Sequence, residues 1–235
     1  MFDTLLGLPL FQGLGHTDLT RILESTRLEF ETVGEGHVLF RQDDLCTGLI
    51  FVLQGDVTAL TRSADRTWSV EEPLPTPTVA GMEVLYGYGR NHRFTLTARG
   101  ETRLLRMDKR TVGALTAYFD VFRLNVLNRL TTNIVRRDQL LWLPAEDGLE
   151  GRIRMFLRSH VQHPAGAKRF NISQQTLGDY LGEDKRFVAR ALGRMQEAGV
   201  LRLGRRSIEV PSFEKLLAAK LNPGRAKLFT DNFKK

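Results

Sequence analysis

The sequence predicts an α+β protein: an N-terminal β-roll, a double-stranded jelly-roll-like barrel, followed by one long helix and a C-terminal winged helix-turn-helix. Three observations carry that reading. Between Leu28 and Met107, short apolar alternations are broken by glycine, in HVLF, GLIFVLQGDVTAL and RFTLTARGETRLLRM, the pattern of a small all-β domain. From Thr111 to Leu143 no proline interrupts a helically spaced apolar series. In ISQQTLGDYLGEDKRFVARALGRM, residues 172–195, two short helical runs flank Gly182, and two strand-like runs follow.

In chain order, Leu19, Ile22, Leu23 and Thr26 fall at helical spacing, with Thr17 available as the N-cap of an opening helix. The strands of the β-roll follow. EEPLPTPTVAGMEVLYGYGRNH, residues 71–92, is rich in Pro and Gly, so a long loop with one helical turn at Met82–Leu85 is expected there. In the long helix, Leu127, Leu130, Ile134 and Leu141 step by three, four and seven residues, and Leu124 and Val126 lie near the same seam. Such a seam serves either a partner helix in a parallel homodimeric coiled coil or burial against the chain's own barrel. The expected division is a β-roll at 1–110, the long helix at 111–143, a second compact domain at 144–220 beginning at Pro144, and a basic tail at 221–235.

In that second domain, Ser173 is placed to cap a helix carrying Leu177 and Leu181, and Gly182 makes the turn. Glu183 and Asp184 put negative charge at the start of the next helix, which buries Val188, Leu192 and Met195 and shows Lys185, Arg186, Ala189 and Arg190 on its other face. Gly178 permits close approach of the two helices. A basic second helix of this kind fits the major groove of DNA. VLRLGRRSIEV, residues 200–210, reads as a β-wing whose turn presents Arg205 and Arg206 to phosphate.

Charge agrees with that placement. Residues 1–143 hold 16 Lys+Arg against 17 Asp+Glu, whereas residues 144–235 hold 18 against 10, so the whole excess behind the net +7 is C-terminal. Only that part is expected to meet a polyanion. No apolar run has the roughly 18–20 residues of a membrane span, and MFDTLLGLPLF lacks a basic signal n-region, so a soluble cytoplasmic protein without membrane contact is expected. A single cysteine, Cys46, excludes a disulfide framework and an iron–sulfur cluster held by several of its own thiolates.

The order of barrel, long helix and winged helix-turn-helix resembles the Crp/Fnr family of bacterial transcription regulators along almost the whole chain. LFQGLGHTDLTRILES, VGEGHVLFRQDDLCTGLIFVLQGDV and the glycines Gly34, Gly48 and Gly55 look like the family's effector-binding β-roll, with Asp43 standing where many members have glycine. EGRIRMFL followed by ISQQTLGDYLGEDKRFVARALGRMQEAGVL is similar to its DNA-binding domain. The resemblance implies phosphate contacts from Ser173, Gln174 and Gln175 and base reading by Lys185, Arg186 and Arg190. An arginine on guanine O6 and N7 gives about 1–3 kcal/mol of discrimination. Well-known members carry glutamate where Arg186 stands, so a different operator is expected, with a phosphate contact as the alternative role of Arg186. The resemblance also implies a homodimer on a palindromic operator in double-stranded DNA. It further implies contact with RNA polymerase through the turn HPAGAKR, residues 163–169, including Lys168.

Members that bind cyclic AMP hold its phosphate with Gly-Glu, several residues, then Arg-Ser-Ala. Here AGMEVLYGYGRNHRFTL supplies Gly81, Glu83, His92 and Arg93, but Met82 separates Gly from Glu and Phe94 replaces a hydroxyl residue. Arg137 and Asp138 stand on the long helix where such members have hydroxyl side chains. A cyclic nucleotide is therefore not the expected effector. Haem with a diatomic gas, a small metabolite or anion near Arg93, and no ligand at all stay open. Candidate haem axial ligands are His37, His92, Met82 and Cys46. No Ser/His/Asp, metal-ligand or P-loop constellation occurs, so an enzyme is not expected. The competing readings are a β-roll ligand-binding module whose C-terminal helices make protein contacts, and a cyclic-nucleotide-responsive regulator.

Overall fold

The computed structural model describes residues 5–26, 28–143 and 146–220. The chain forms two compact units. The first runs through Thr61 and then from Pro73 to Trp142; the second joins Arg62–Glu72 to the chain from Leu143 onward. Pro144 and the tail at 221–235 lie outside the described residues.

The chain up to Trp142 forms α1 (His16–Ser25), β1 (Glu29–Val33), β2 (Val38–Phe40), β3 (Gly48–Gln54), β4 (Val57–Arg62), β5 (Ser69–Leu74), β6 (Thr78–Ala80), β7 (Thr95–Ala98), β8 (Thr102–Asp108), α2 (Lys109–Tyr118) and α3 (Asp120–Leu141), all in the first unit except the start of β5 and the end of β4. Strands β1, β8, β3 and β6 make one antiparallel sheet; β4 and β2 pair with β7 on either side. The apolar run Leu49–Val52 has both faces buried, which is why it shows no polar alternation. Ile50 and Val52 join Phe40, Val57, Phe94, Leu96 and Leu104 in one cluster. Leu49 and Phe51 face the opposite way, against Leu19, Ile22, Val112, Leu115 and Phe122 of the helices.

Three expectations are corrected here. Helix α1 starts at His16 with Gly15 at its N-cap and no side-chain cap bond, so Thr17 lies inside the first turn. The long helix is broken: Phe119 is extended, at φ −122° and ψ 103°, between α2 and α3. The break lets Phe119 bury with Leu115 before it and Phe122 after it, while Asp108 caps α2 through the Thr111 N–H at 2.7 Å. The Pro-rich loop contains a strand, β6, paired with β3 through Ile50↔Ala80 and Val52↔Thr78.

The second unit contains α4 (Gly148–Ser159), β9 (Lys168–Asn171), α5 (Gln174–Leu181), α6 (Lys185–Glu197), β10 (Arg202–Gly204), β11 (Ser207–Val210) and α7 (Phe213–Ala218). Residues 62–72, within the stretch expected to form the β-roll, group by contact with this unit. Ser69, Val70 and Glu71 pair with Asn171, Phe170 and Arg169 of β9, so β5 extends the sheet formed by β9, β11 and β10. Trp68 and Val70 join Ile153, Phe156, Phe170, Leu177, Val188, Leu192 and Met195 in one core. Beside them Glu72 and Lys168, each 1% exposed, stand 3.7 Å apart.

Candidate nucleic-acid interface and effector region

The turn between α5 and α6 is built from four local choices. Ser173 Oγ accepts the Thr176 N–H at 3.0 Å and closes the start of α5. Gly182 ends that helix in the left-handed region, at φ +67°, which a side-chain-bearing residue adopts only at a cost. Gly178 is buried where α5 meets the turn: a Cβ there would lie 2.6 Å from the Glu183 carbonyl oxygen, so the two helices approach only over glycine. Asp184 then caps α6, accepting the Arg186 N–H at 2.8 Å.

Helix α6 has two distinct faces. Val188, Ala191, Leu192 and Met195 are fully buried. Lys185, Arg186 and Arg190 are exposed on the opposite side, together with Phe187. The Arg186 guanidinium donates from Nε to Asp184 Oδ1 at 3.0 Å, and those bonds hold the Asp184 carboxyl below its ordinary value. Arg190 Cζ lies 4.8 Å from the Phe187 ring centroid. From behind, Glu150 of α4, 3% exposed, accepts Arg194 Nε at 2.5 Å, and Arg152 reaches the Leu181 carbonyl and Glu183 at the turn.

The other predicted contacts fall on the same unit. Gln174 and Gln175 lie in the first turn of α5, with the Gln175 amide donating to Asp179 at 2.8 Å. Arg205 and Arg206 form the exposed turn between β10 and β11, with Arg206 at φ +58°. Sequence reasoning missed Phe187, whose signal was available: an aromatic one residue off the apolar face of α6. It also misplaced Lys168. The turn at 164–167 is exposed, but Lys168 is a buried β9 residue that donates to the Ala165 carbonyl at 2.6 Å and pairs with Glu72. A buried ammonium needs such partners, so Lys168 is a structural residue rather than a surface contact.

The effector candidates scatter by burial. Met82 belongs to the core under the helices, and Phe94 lies inside the β-roll, 5.3 Å from Phe40. His92 is buried and stacked on Phe40, with ring centroids 3.8 Å apart. Burial holds its imidazole below the ordinary value, against the pull of Asp44. The buried Cys46 thiol donates to the Gly48 carbonyl at 3.2 Å and lies 3.6 Å from that of Gly81; desolvation pushes it up. Glu83, Arg93, Arg137, Asp138 and His37 are exposed, and Glu83 accepts from the Asn133 amide at 3.3 Å. The structure thus gathers Cys46, Gly81 and His92, whereas Glu83, Arg93, Arg137 and Asp138 stay at the surface. Among the described residues no three His, Cys, Asp or Glu side chains cluster as a metal site, and no helix is long and apolar enough to cross a membrane.

On α3, Leu124, Leu127, Ile134 and Leu141 are about half exposed or more, as are Val135 and Trp142. Leu130 packs partly against the unit's own core and Val126 is buried in it, so Val126 leaves the proposed seam.

A model of the cyclic nucleotide-binding domain matches residues 30–118, and a model of the Crp-like helix-turn-helix domain matches residues 140–219. Among solved structures, the catabolite activator protein of Thermus thermophilus is similar at 23% identity, over 88% of this chain and 97% of that one, with a TM-score of 0.51. A Crp/Fnr-family regulator from Eubacterium rectale aligns at 17% identity over 89% and 96%, with a TM-score of 0.50. No curated protein matches the chain.

Proposed function

We propose that this chain, which belongs to the Crp/Fnr family of DNA-binding transcription regulators, acts as a homodimer on a two-fold symmetric operator and reads each half-site with α6. The observation that carries this reading is the division of α6, with one face fully buried and the other presenting Lys185, Arg186 and Arg190, in a unit whose wing turn also exposes Arg205 and Arg206. Charge supports it: residues 144–220 hold 14 Lys+Arg against 9 Asp+Glu, so the basic excess does not depend on the tail. Two half-sites centred about one helical turn, roughly 34 Å, apart follow from two-fold symmetry. The exposed stripe of α3 supplies the surface for a second copy.

Ser173, Gln174, Gln175, Arg205 and Arg206 position the duplex through phosphate, and Lys185, Arg186 and Arg190 face base edges. Arg186 is already bonded to Asp184, so its guanidinium edge reaches a base or phosphate only alongside that carboxylate.

For the β-roll, side-chain placement argues against cyclic nucleotide and against haem. Phe94 fills the interior where a hydroxyl would meet a phosphate, Glu83 is turned to Asn133, Met82 and Cys46 are in the core, and the His92 ring is covered by Phe40. Of the ligand classes open from sequence, a small anionic metabolite at the exposed Arg93 keeps an accessible contact. Saturating cyclic AMP, cyclic GMP or haem should therefore leave the melting temperature unchanged, since only a ligand preferring the native state raises it. A rise of several degrees with any of them would overturn this part.

The DNA reading is tested by anisotropy on duplexes recovered from a random pool. The wild-type protein should bind them with log K falling linearly in log salt, at a slope of about −0.9 per phosphate neutralised. Arg190→Glu should lose the specific complex. Wild-type affinity in that variant would refute the role of α6.

A further inference from the structure

We propose that Phe187 is a specificity-determining contact: its ring supports the Arg190 guanidinium over a guanine and packs on the 5-methyl of the neighbouring thymine. The inference rests on the DNA-binding reading above and adds a residue and a base to it. Phe187 is 48% exposed, whereas the other large apolar side chains of α6, Val188, Leu192 and Met195, are at 0%. A half-exposed phenyl ring on the basic face has no part in the core of its own unit.

Its neighbours say what it is placed to meet. Phe187 and Arg190 are three apart on α6, so their side chains share a face. The 4.8 Å from Arg190 Cζ to the ring centroid lies inside the roughly 6 Å range of a cation–π contact. A guanidinium lying on a ring keeps its planar N–H edge free, and that edge matches guanine O6 and N7. With Arg186 and Ala189 the two residues line a shallow open concavity that is small at Ala189. A phenyl ring offers no hydrogen bond, and the apolar feature on the floor of the major groove is the thymine methyl. Arginine and phenylalanine together therefore read a guanine–thymine step, the first by hydrogen bonds and the second by apolar contact.

The test is selection from a random duplex pool with the full chain and with Phe187→Ala, followed by titration of the recovered site with thymine replaced by uracil. The wild type should enrich a thymine beside a guanine. Removing that thymine's methyl should weaken wild-type binding about four-fold per half-site, the factor that corresponds to one buried methyl at about 0.8 kcal/mol. Phe187→Ala should keep the guanine, lose the preference for thymine and bind both duplexes alike. An identical motif from the two proteins, or equal wild-type binding to thymine and uracil duplexes, would overturn the assignment while leaving the DNA reading intact. A wild type that enriches no motif would overturn both. The uracil titration uses the unaltered protein, so its outcome does not depend on the variant folding.

Discussion

Replacing Lys168 by Met should destabilise the second unit by about 3 kcal/mol. The Glu72–Lys168 pair has both side chains 1% exposed, and removing one partner of such a pair costs about 3–5 kcal/mol because the other charge stays buried. Two backbone N–H groups remain on the Glu72 carboxylate, from Gln162 at 2.9 Å and His163 at 3.4 Å, which places the loss at the lower end of that range. At a urea m-value of about 2 kcal/mol per M, the unfolding midpoint falls by about 1.5 M. Trp68 reports the transition, because its ring packs on Phe156 and His160 in that core, and Trp142, 80% exposed, is replaced by Phe in the background. Burial raises the Glu72 carboxyl above its ordinary value, against the pull of Lys168. A carboxyl raised on folding favours the native state below its unfolded value and disfavours it as pH rises through the folded one. The deficit of Lys168→Met should therefore be largest at neutral pH and shrink towards pH 5. Adding Glu72→Gln, which keeps an acceptor for the Gln162 N–H and removes the orphaned charge, should restore about half the loss. A single variant costing under about 1 kcal/mol, or a double variant worse than the single, would refute the account.

Two further outcomes follow from the first unit. Burial lowers the His92 imidazole, so the neutral ring's contribution to stability is complete above about pH 6.5 and is lost as pH falls through the depressed folded value. Thermal midpoints between pH 8 and pH 5 should drop more for wild type than for His92→Phe, which keeps the stack on Phe40, and parallel curves would count against the assignment. On α3, Leu127→Arg with Ile134→Asp places charges on residues 49% and 65% exposed, so the monomer fold should survive while sedimentation shows half the mass of wild type. Unchanged mass would move the dimer interface elsewhere.

The parts legible in the sequence are those whose partners lie close along the chain. Ser173 and the Thr176 N–H are three residues apart, Gly182 sits where its own helix must stop, and Val188, Leu192 and Met195 declare one face of α6 by their spacing. Apolar periodicity likewise located β3, although it could not reveal that both faces of that strand are covered. Asp43 also has a local answer: it sits at φ +71°, a conformation glycine adopts freely and aspartate tolerates better than most.

What stayed hidden depends on distant partners. Helical spacing runs on through Phe119, because residues 115, 119 and 122 look like neighbours on one continuous helix; only the shape of the core they enter dictates an extended residue between α2 and α3. Val70 alternates as any strand residue does, and nothing in that alternation names Phe170, a hundred positions away, as its partner. Lys168 is the sharpest case. In HPAGAKR it reads as a solvated turn lysine, since a buried ammonium is excluded unless an opposite charge is buried with it, and that charge, Glu72, belongs to a segment the sequence assigns to the other domain. The burial of Lys168 therefore could not be read from its own neighbours, because the carboxylate that makes it possible stands far away along the chain.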